Sequence, residues 1–364
     1  MANQDEVESP PDLDSAAGLS RIGEDGLIER IRSRAASCDP RLIKSIGDDA
    51  AVFAAAGTSV ATTDLVVQDV HFRLERTVPR LLGRKALSVN LSDVAAMAAV
   101  PRFALLGLSA PGDFPLQVIE EILEGFQEKA SEAEVSLAGG DVTRSDKLVI
   151  SVFVLGDAEP PAPVYRSGAR PGDHLYITGY TGDSGLGLSR LLEMEPRVDM
   201  ERISSDPLAG PIMKHLDPEV RLEPARKVAG IATSMIDTSD GIAADLPRLL
   251  KESGVPGAEI ELRSVPLSDE FKEHFKISGS MSHEAMQSAL AGGEDYELLF
   301  TAPPEWNPQG DIKDLEGVPL TRIGSITESA GIIVRDGQGN SLDMPSPAFR
   351  HFVSPAAGEE NPDV

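Results

Sequence analysis

Carboxylates that lie beside Gly, Ser or Thr at the edges of apolar runs are the residues of this sequence best suited to chemistry. Six short segments share the pattern: 45–50, 61–64, 90–93, 139–141, 236–241 and 292–295. Bringing several acids together at such places is unfavourable unless a cation lies among them. The pattern therefore predicts a magnesium cluster that holds a polyphosphate.

The predicted metal ligands are oxygen atoms, because Mg²⁺ prefers carboxylate and water oxygens and shares its shell with phosphates. They are the acids Asp48, Asp49, Asp64, Asp93, Asp141, Asp237 and Asp240, with the hydroxyls of Thr62 and Thr63 beside them. Two or more ions can clamp a phosphoryl group and neutralise its charge during transfer. For any single acid the alternative is a helix cap or a solvated turn, and for Asp48 that alternative is stronger, because adjacent acids rarely both point into one site.

Two glycine-rich segments lie near these acids. Gly139-Gly140-Asp141 ends a predicted strand, where backbone N–H groups can approach a phosphate, although a plain strand-to-loop turn is an equal alternative. Residues 182–187 resemble a phosphate-binding loop before a helix, but the P-loop lysine and the Rossmann spacing are missing, so helix packing is the better explanation. The signatures of protein kinases are also missing. If the chain binds ATP, it uses another scaffold.

The local sequence around the basic and nucleophilic residues does not by itself indicate a functional role for them. Arg166 is suited to a bidentate phosphate contact, yet an exposed linker arginine fits equally well. His71 is by default a core or surface histidine. The six histidines form no H-E-x-x-H or His-x-His pair, which disfavours a zinc site. Ser184 and Ser239 have no G-x-S-x-G setting, which disfavours serine hydrolysis.

The composition indicates a globular protein that binds neither nucleic acid nor a membrane. With 364 residues, 41% of them hydrophobic, the chain is long enough for two ordinary domains. A formal net charge of −26 disfavours nucleic acid and anionic membranes as partners, but it permits an anionic substrate whose charge bound metal ions offset. No apolar run approaches the roughly 18–20 residues of a membrane span, and no secretory signal is present. Cys38 is the only cysteine, which fits a reducing cytoplasm.

The order of predicted helices and strands favours an α+β protein of two domains, because strands and helices mix without strict βαβ alternation. The proline-rich stretch 159–163 is the natural linker. We expect a strand pair formed by 50–53 and 58–64, and a strand at 135–138 that ends at Gly139. The predicted division is a disordered acidic tail at 1–20, a metal-binding, ATP-binding and dimerisation domain at 21–158, a C-terminal α+β domain at 164–352 and a tail at 353–364.

Seven motifs occur in the order found in the thiamine-monophosphate kinases, which this sequence resembles from about Gly26 to Phe352. They are IGDDAA at 46–51, TTD at 62–64, NLSDVAAM at 90–97, GGDVTR at 139–144, RSGARPGD at 166–173, IDTSDG at 236–241 and GGEDYEL at 292–298. The wider superfamily, which includes aminoimidazole ribonucleotide synthetase and selenophosphate synthetase, shares the fold and the metal-binding acids. The motifs GGEDYEL and NLSDVAAM favour the thiamine member.

The resemblance implies a synthetase-like fold in which strands of an N-terminal α/β domain close a barrel across a homodimer, with ATP in the cleft between the two domains. The magnesium shell that it implies comprises Asp49, Thr62, Thr63, Asp64, Asp93, Asp141, Asp237 and Asp240. The implied nucleotide contacts are Gly140, Asp141, Arg166 and Ser239. His71, Glu294 and Phe349 resemble positions that hold thiamine monophosphate.

The predicted activity is transfer of the γ-phosphoryl group of ATP to the phosphate of thiamine monophosphate, assisted by several Mg²⁺ ions. The acceptor is a phosphate oxygen that is already largely ionised, so no residue is expected to act as a general base. Two alternatives remain. One is another ATP-using synthetase of the superfamily, of the ribonucleotide or selenophosphate type, and the other is a nucleotide-binding protein without catalysis.

Overall fold

The computed structural model describes residues 19–35, 39–46, 51–55, 57–306, 308, 315 and 317–347. The predictions that concern Cys38, Asp48, Asp49 and Phe349 lie outside these residues, as does most of both predicted tails. Leu19 belongs to a 3₁₀ turn, and its backbone N–H donates to the Phe114 carbonyl at 3.1 Å. Regular structure in the described part of the chain therefore begins inside the predicted 1–20 tail.

The N-terminal half builds a four-stranded sheet that is covered on one face by two helices. Its elements are α1 (Gly23–Arg34), β1 (Leu42–Lys44), β2 (Val52–Phe53), β3 (Thr58–Val67), α2 (Pro79–Ala96), β4 (Val100–Ala110), α3 (Leu116–Glu132), β5 (Ser136–Arg144) and β6 (Val149–Ala158). The strand order is β3-β6-β4-β5, in which β4 and β5 run parallel and the other neighbours run antiparallel. Helix α3 buries Val118, Ile119 and Ile122, the apolar stripe that its periodicity predicts.

Helices α2 and α3 approach so closely that two glycines are required between them. A Cβ atom on Gly83 would lie 1.9 Å from the Ile122 carbonyl oxygen, and one on Gly125 would lie 1.8 Å from that of Arg80. The contact fixes the position of α2, which carries Lys85 and Asp93 to the site described below. Gly83 and Gly125 are thus needed for helix packing and not for backbone flexibility.

We expect Gly83→Ala to destabilise the protein, because the added methyl group would collide with the backbone of α3. Overpacking of this kind costs about 1–3 kcal/mol, more than the ~1 kcal/mol that alanine gains over glycine in a helix. Urea unfolding at neutral pH measures the difference. Gly112→Ala is the matched control, since a Cβ atom at that position would meet no other atom within 4 Å. Equal stability of the two variants would show that α2 and α3 can separate at little cost.

The C-terminal half builds a seven-stranded mixed sheet with helices around it. Its elements are β7 (His174–Thr178), α4 (Asp183–Glu193), α5 (Met200–Ser204), α6 (Ala209–Leu216), α7 (Leu222–Val228), β8 (Ser234–Asp237), α8 (Ile242–Ser253), β9 (Gly257–Glu261), α9 (Asp269–His274), α10 (His283–Ala291), β10 (Leu298–Ala302), β11 (Leu320–Thr327), β12 (Gly331–Arg335) and β13 (Ser341–Leu342). The order is β13-β12-β9-β11-β7-β10-β8, and only β12 and β9 are parallel. The predicted α+β class is confirmed.

Two local predictions are wrong. The segment 50–53 does not pair with 58–64, because β2 pairs with β1 and β3 pairs along its whole length with β6. The strand that was expected to end at Gly139 continues through Gly140 and Asp141 to Arg144. A Cβ atom on Gly140 would lie 1.9 Å from the Leu106 carbonyl oxygen of β4, so this glycine permits close strand packing. In the described part of the chain, no helix is both long and apolar enough to span a membrane.

Candidate active site

A cleft of about 880 Å³ lies between the two halves of the molecule. The N-terminal half contributes Asp64 from β3, His71 from the following loop and Lys85 and Asp93 from α2. The C-terminal half contributes several polar residues to the same cleft: Ser184, His215, Asp237, Ser239, Asp240, Glu294 and Tyr296. The cleft therefore unites acids that are separated by more than half of the sequence.

Three of the carboxylates that line this cleft, those of Asp64, Asp93 and Asp237, are close enough for Asp93 to act electrostatically on the other two. Burial raises the pKa of Asp64 to about 6, and the negative charge of Asp93 adds to that shift. Burial likewise raises the pKa of Asp237 to about 7, again with a contribution from Asp93. The pKa of Asp93 is also raised, because burial outweighs the opposing effects of its Thr62 hydrogen bond and the charge of Arg166. The three acids form a desolvated, mutually repelling group.

Two hydroxyl groups orient this acid cluster, which comprises Asp64, Asp93 and Asp237. Thr62 Oγ1 donates to Asp93 Oδ2 at 2.5 Å, and Ser92 Oγ donates to Asp237 Oδ2 at 2.7 Å. Within the described residues, the Asp64 carboxylate makes no hydrogen bond or ion pair. An acid that is partly buried beside another carboxylate and lacks a donor of its own is suited to a cation.

The cluster fits a magnesium ion that keeps water and phosphate ligands, but not a closed protein cage. Among the described residues, no three His, Cys, Asp or Glu side chains are arranged to hold a metal ion by themselves. Mg²⁺ is usually bound through one or two carboxylates plus waters and substrate phosphates, so a complete protein shell is not required. Asp64, Asp93 and Asp237 have the oxygen chemistry for this kind of site.

The other predicted metal ligands lie in different surroundings. Asp240 lines the cleft, but its Oδ2 pairs with Arg248 at 2.6 Å. Thr63 faces the opposite side of β3 from Thr62, and its hydroxyl donates to the Val152 carbonyl at 2.9 Å. Asp141 is exposed on β5 and does not line the cleft. The structure thus places Asp240 in the same cleft as the acid cluster and leaves Thr63 and Asp141 outside that cleft.

The predicted nucleotide and substrate residues are also divided. Ser239 lines the cleft, whereas Gly140 and the exposed Arg166 do not. The positive charge of Arg166 nevertheless lowers the pKa of both Asp93 and Asp237, so it lies within electrostatic reach of the acid cluster. His71 lines the cleft and accepts the Val67 N–H at its Nδ1, 3.1 Å away.

The GGEDYEL segment has one acid that faces the cleft and two structural acids. Glu294 faces the cleft. Asp295 accepts the backbone N–H groups of Gly182 and Ser184 at 2.6 and 3.0 Å, so it caps the start of α4. Glu297 is fully buried and pairs with Arg221 and Lys214. The start of α4 is therefore occupied by a side chain of the protein, which supports helix packing and not phosphate binding at 182–187.

Sequence reasoning missed the residues that surround Glu294. Lys85 Nζ donates to Glu294 Oε2 at 3.1 Å, and His215 Nδ1 lies 3.2 Å from the same oxygen. Lys85 shares a helical face of α2 with Leu82 and Val89, and a buried lysine needs a partner, which was the available signal. His215 carried no signal, because its neighbour lies 79 positions away in the chain, at Glu294.

Comparison with known proteins agrees with the predicted family. The N-terminal domain of the AIR synthase related proteins matches residues 47–158, and the C-terminal domain matches residues 170–337. A thiamine-monophosphate kinase of Aquifex aeolicus (strain VF5) is 36% identical over 323 residues, which cover 88% of this chain and 96% of the relative.

Solved structures give the same result. The crystal structure of thiamine-monophosphate kinase from Stenotrophomonas maltophilia K279a superposes on this chain with a TM-score of 0.74 at 30% sequence identity. The match covers 87% of this chain and 96% of the Stenotrophomonas chain. A structure described as AaThiL complexed with AMPPCP and TMP gives a TM-score of 0.68 at 34% sequence identity. This match covers 91% of this chain and 98% of the AaThiL chain. The family that the seven motifs predicted is confirmed: the chain belongs to the thiamine-monophosphate kinases.

Proposed function

We propose that this chain transfers the γ-phosphoryl group of ATP directly to the phosphate of thiamine monophosphate, with Mg²⁺ at the acid cluster, and yields thiamine diphosphate and ADP. The convergence of Asp64, Asp93 and Asp237 in a cleft that also holds Glu294 and His71 carries the proposal. The name of the Aquifex relative and the solved complex with AMPPCP and TMP support the same pair of substrates. A cytoplasmic location, where ATP and Mg²⁺ are available, belongs to this proposal.

The residues of the cleft divide the work of binding and orientation. Bound Mg²⁺ would neutralise the polyphosphate and the charge that develops during transfer. Asp64, Asp93 and Asp237 present oxygen ligands, and Thr62 and Ser92 fix the orientation of two of these carboxylates. Arg166 adds positive charge near the cluster, as a phosphate contact requires. The acceptor phosphate is ionised near neutral pH, so alignment takes the place of a general base.

The remaining assignments rest on the motifs. They are Asp49, Thr63, Asp141 and Asp240 as further magnesium ligands, Gly140, Asp141 and Ser239 as nucleotide contacts, and His71, Glu294 and Phe349 as thiamine monophosphate contacts. Thr63, Gly140 and Asp141 do not line the described cleft, so for these three the motifs are the sole support. Asp49 and Phe349 lie outside the part of the chain that the structure describes.

The activity test is direct. Purified protein with thiamine monophosphate, ATP and Mg²⁺ should form thiamine diphosphate and ADP in equal amounts, and EDTA should abolish the reaction. Chromatography of the products measures both. ATP consumption only with aminoimidazole-type ribonucleotides or selenide would favour another synthetase of the superfamily. ATP binding without any turnover across a wide range of Mg²⁺ concentrations would favour a nucleotide-binding protein.

A second copy of the chain is the proposed partner of the face of the N-terminal sheet that α2 and α3 do not cover. Cross-strand neighbours on this face include Phe153 and Leu105, which are 36% and 37% exposed, and Leu65 of β3 is 57% exposed. Exposed apolar side chains that lie together on a sheet are typical of an interface. A homodimer in which two such sheets form one barrel would cover them.

We expect Phe153→Glu to shift the protein from dimer to monomer, because the interface would have to bury an unpaired charge at a cost of several kcal/mol. Light scattering coupled to size-exclusion chromatography measures the mass. Met200→Glu is a suitable control, since Met200 is 42% exposed but lies in the C-terminal half, away from this sheet. A monomeric wild-type protein, or a variant that remains dimeric, would contradict this interface.

A further inference from the structure

The two oxygens of the Glu294 carboxylate have different surroundings. Oε2 accepts from Lys85 Nζ at 3.1 Å and lies 3.2 Å from His215 Nδ1. Both neighbours are buried, with 5% of Lys85 and 6% of His215 exposed. Within the described residues, Oε1 makes no hydrogen bond or ion pair, and the side chain remains 29% exposed where it lines the cleft. One oxygen is thus saturated by the protein and the other is available to a ligand.

His215 and Lys85 affect the Glu294 carboxylate in different ways. Burial lowers the pKa of His215 to about 3, with the nearby Lys85 charge adding to the effect, so this imidazole is neutral. His215 Nδ1 forms a hydrogen bond with Ser184 Oγ at 3.1 Å, so Lys85 is the donor that holds Oε2 of Glu294. Burial opposes ionisation of Glu294, but the charge of Lys85 and its hydrogen bond favour the ionised form, and the pKa of Glu294 lies below the usual value.

The backbone of Glu294 is held independently of its side chain. Its φ angle of 62° is left-handed, which is unusual for a residue other than glycine. The Glu294 N–H donates to the Ser239 carbonyl at 2.8 Å, and a Cβ atom on Gly293 would lie 2.8 Å from the same oxygen. A strained residue held by several contacts is typical of a pre-organised binding position.

We propose that Lys85 is a positioning residue for substrate recognition, which holds Oε2 of Glu294 and thereby presents Oε1 as a fixed acceptor for an N–H donor of the phosphate-accepting substrate. The inference rests on the proposed function. It names the matching substrate group as an amino group on a heteroaromatic ring, which the aminopyrimidine of thiamine monophosphate supplies. Lys85 lies on α2 and Glu294 lies before β10, so this ion pair also joins the two halves of the molecule.

The first test separates recognition from catalysis. We expect Lys85→Met to raise the KM for thiamine monophosphate at least about tenfold, as loss of a charge-assisted contact does, and to leave the KM for ATP within about threefold. Lys85→Arg, which keeps the charge, should restore part of the loss. Lys129→Met is the control, because Lys129 is a buried lysine on α3 that pairs with Asp217 outside the cleft. Thermal melting and calorimetric binding of an ATP analogue show which variants are folded.

The second test asks whether Lys85 acts through Glu294. A thiamine monophosphate analogue with hydrogen in place of the pyrimidine amino group should be used at least about tenfold less efficiently by the wild-type enzyme. This preference should fall to within about threefold in Lys85→Met. In a double-mutant cycle, Lys85→Met combined with Glu294→Gln should be little worse than Glu294→Gln alone.

The outcomes separate this inference from the proposed function. A wild-type enzyme that forms no thiamine diphosphate would overturn the proposed function. An active wild-type enzyme whose folded Lys85→Met variant keeps a normal KM, or keeps the full preference for the amino group, would overturn the role of Lys85 alone. Independent, multiplicative effects of Lys85→Met and Glu294→Gln would also contradict it.

Discussion

Asp64→Asn is expected to lower kcat for thiamine diphosphate formation by about 100-fold or more, a loss typical of removing one electrostatic contact to the transferring group. The neutral amide has nearly the same shape as the carboxylate but is a much weaker magnesium ligand. Because the interaction stabilises the charge distribution of the transfer step, the effect should appear in kcat and not only in the KM for ATP.

The same substitution is expected to stabilise the metal-free protein. Burial and the charge of Asp93 raise the pKa of Asp64 from 3.8 to about 6. The folded acid therefore binds its proton more tightly than the unfolded acid, so the ionised form destabilises the native state. This penalty is absent below about pH 4, grows as the pH rises towards 6, and is complete above that.

Asparagine carries no such penalty. We expect Asp64→Asn to be more stable than the wild type by about 1–2 kcal/mol at pH 8 in EDTA, less than the full shift implies because Asp64 is partly exposed to the cleft. The difference should disappear near pH 4. Urea unfolding in EDTA at the two pH values measures it, and steady-state kinetics at saturating Mg²⁺ measures kcat.

The control for both measurements is Asp146→Asn, which removes an exposed carboxylate of the same half of the molecule outside the cleft. It should leave kcat and stability unchanged. Turnover of Asp64→Asn close to that of the wild type would exclude Asp64 from the metal site. Normal stability in EDTA at pH 8 would show that the acids of the cluster do not repel one another as strongly as their burial suggests.

Site residues could be predicted where the local sequence around them is distinctive, and could not be predicted where their role depends on residues distant in the chain. Asp64, Asp93 and Asp237 could be identified because each adjoins hydroxyl residues at the edge of an apolar run, a local pattern. Their convergence is a tertiary property, because Asp93 and Asp237 are brought together by the packing of α2 against the C-terminal sheet, where Ser92 contacts Asp237.

Glycine was the residue whose role was hardest to predict from sequence. In Gly139-Gly140-Asp141 the small residues suggested a turn near a phosphate, but Gly140 lies inside β5 and permits close approach to Leu106. The pattern cannot distinguish these roles, since both need only the absence of a side chain. The strand-pairing error at 50–53 has a similar cause, because proximity in sequence favoured a hairpin over the longer-range pairing of β3 with β6.

Glu297 is a motif acid with a structural function. It accepts from Arg221 Nη2 at 2.6 Å and from Lys214 Nζ at 2.5 Å, and its side chain is completely buried. Thr178 Oγ1 donates to the same carboxylate at 2.7 Å. Although burial raises the pKa of Glu297, these partners outweigh it and lower the pKa to about 2. The charge is therefore retained in the folded protein throughout the neutral range.

We expect Glu297→Gln to destabilise the protein by about 3–5 kcal/mol, because it leaves two cations beside β10 without their counter-ion. Since the folded pKa lies below the unfolded value of 4.5, the stabilisation from this group is fully present above about pH 4.5 and is lost as the pH falls towards 2. The loss caused by Glu297→Gln should accordingly be constant between pH 6 and 8. Glu219→Gln is the matched control, because Glu219 pairs with the same Arg221 but is 76% exposed, and such pairs contribute about 0–1 kcal/mol. Equal losses in the two variants, measured by urea unfolding, would show that Arg221 needs any nearby carboxylate and that the buried position of Glu297 adds nothing.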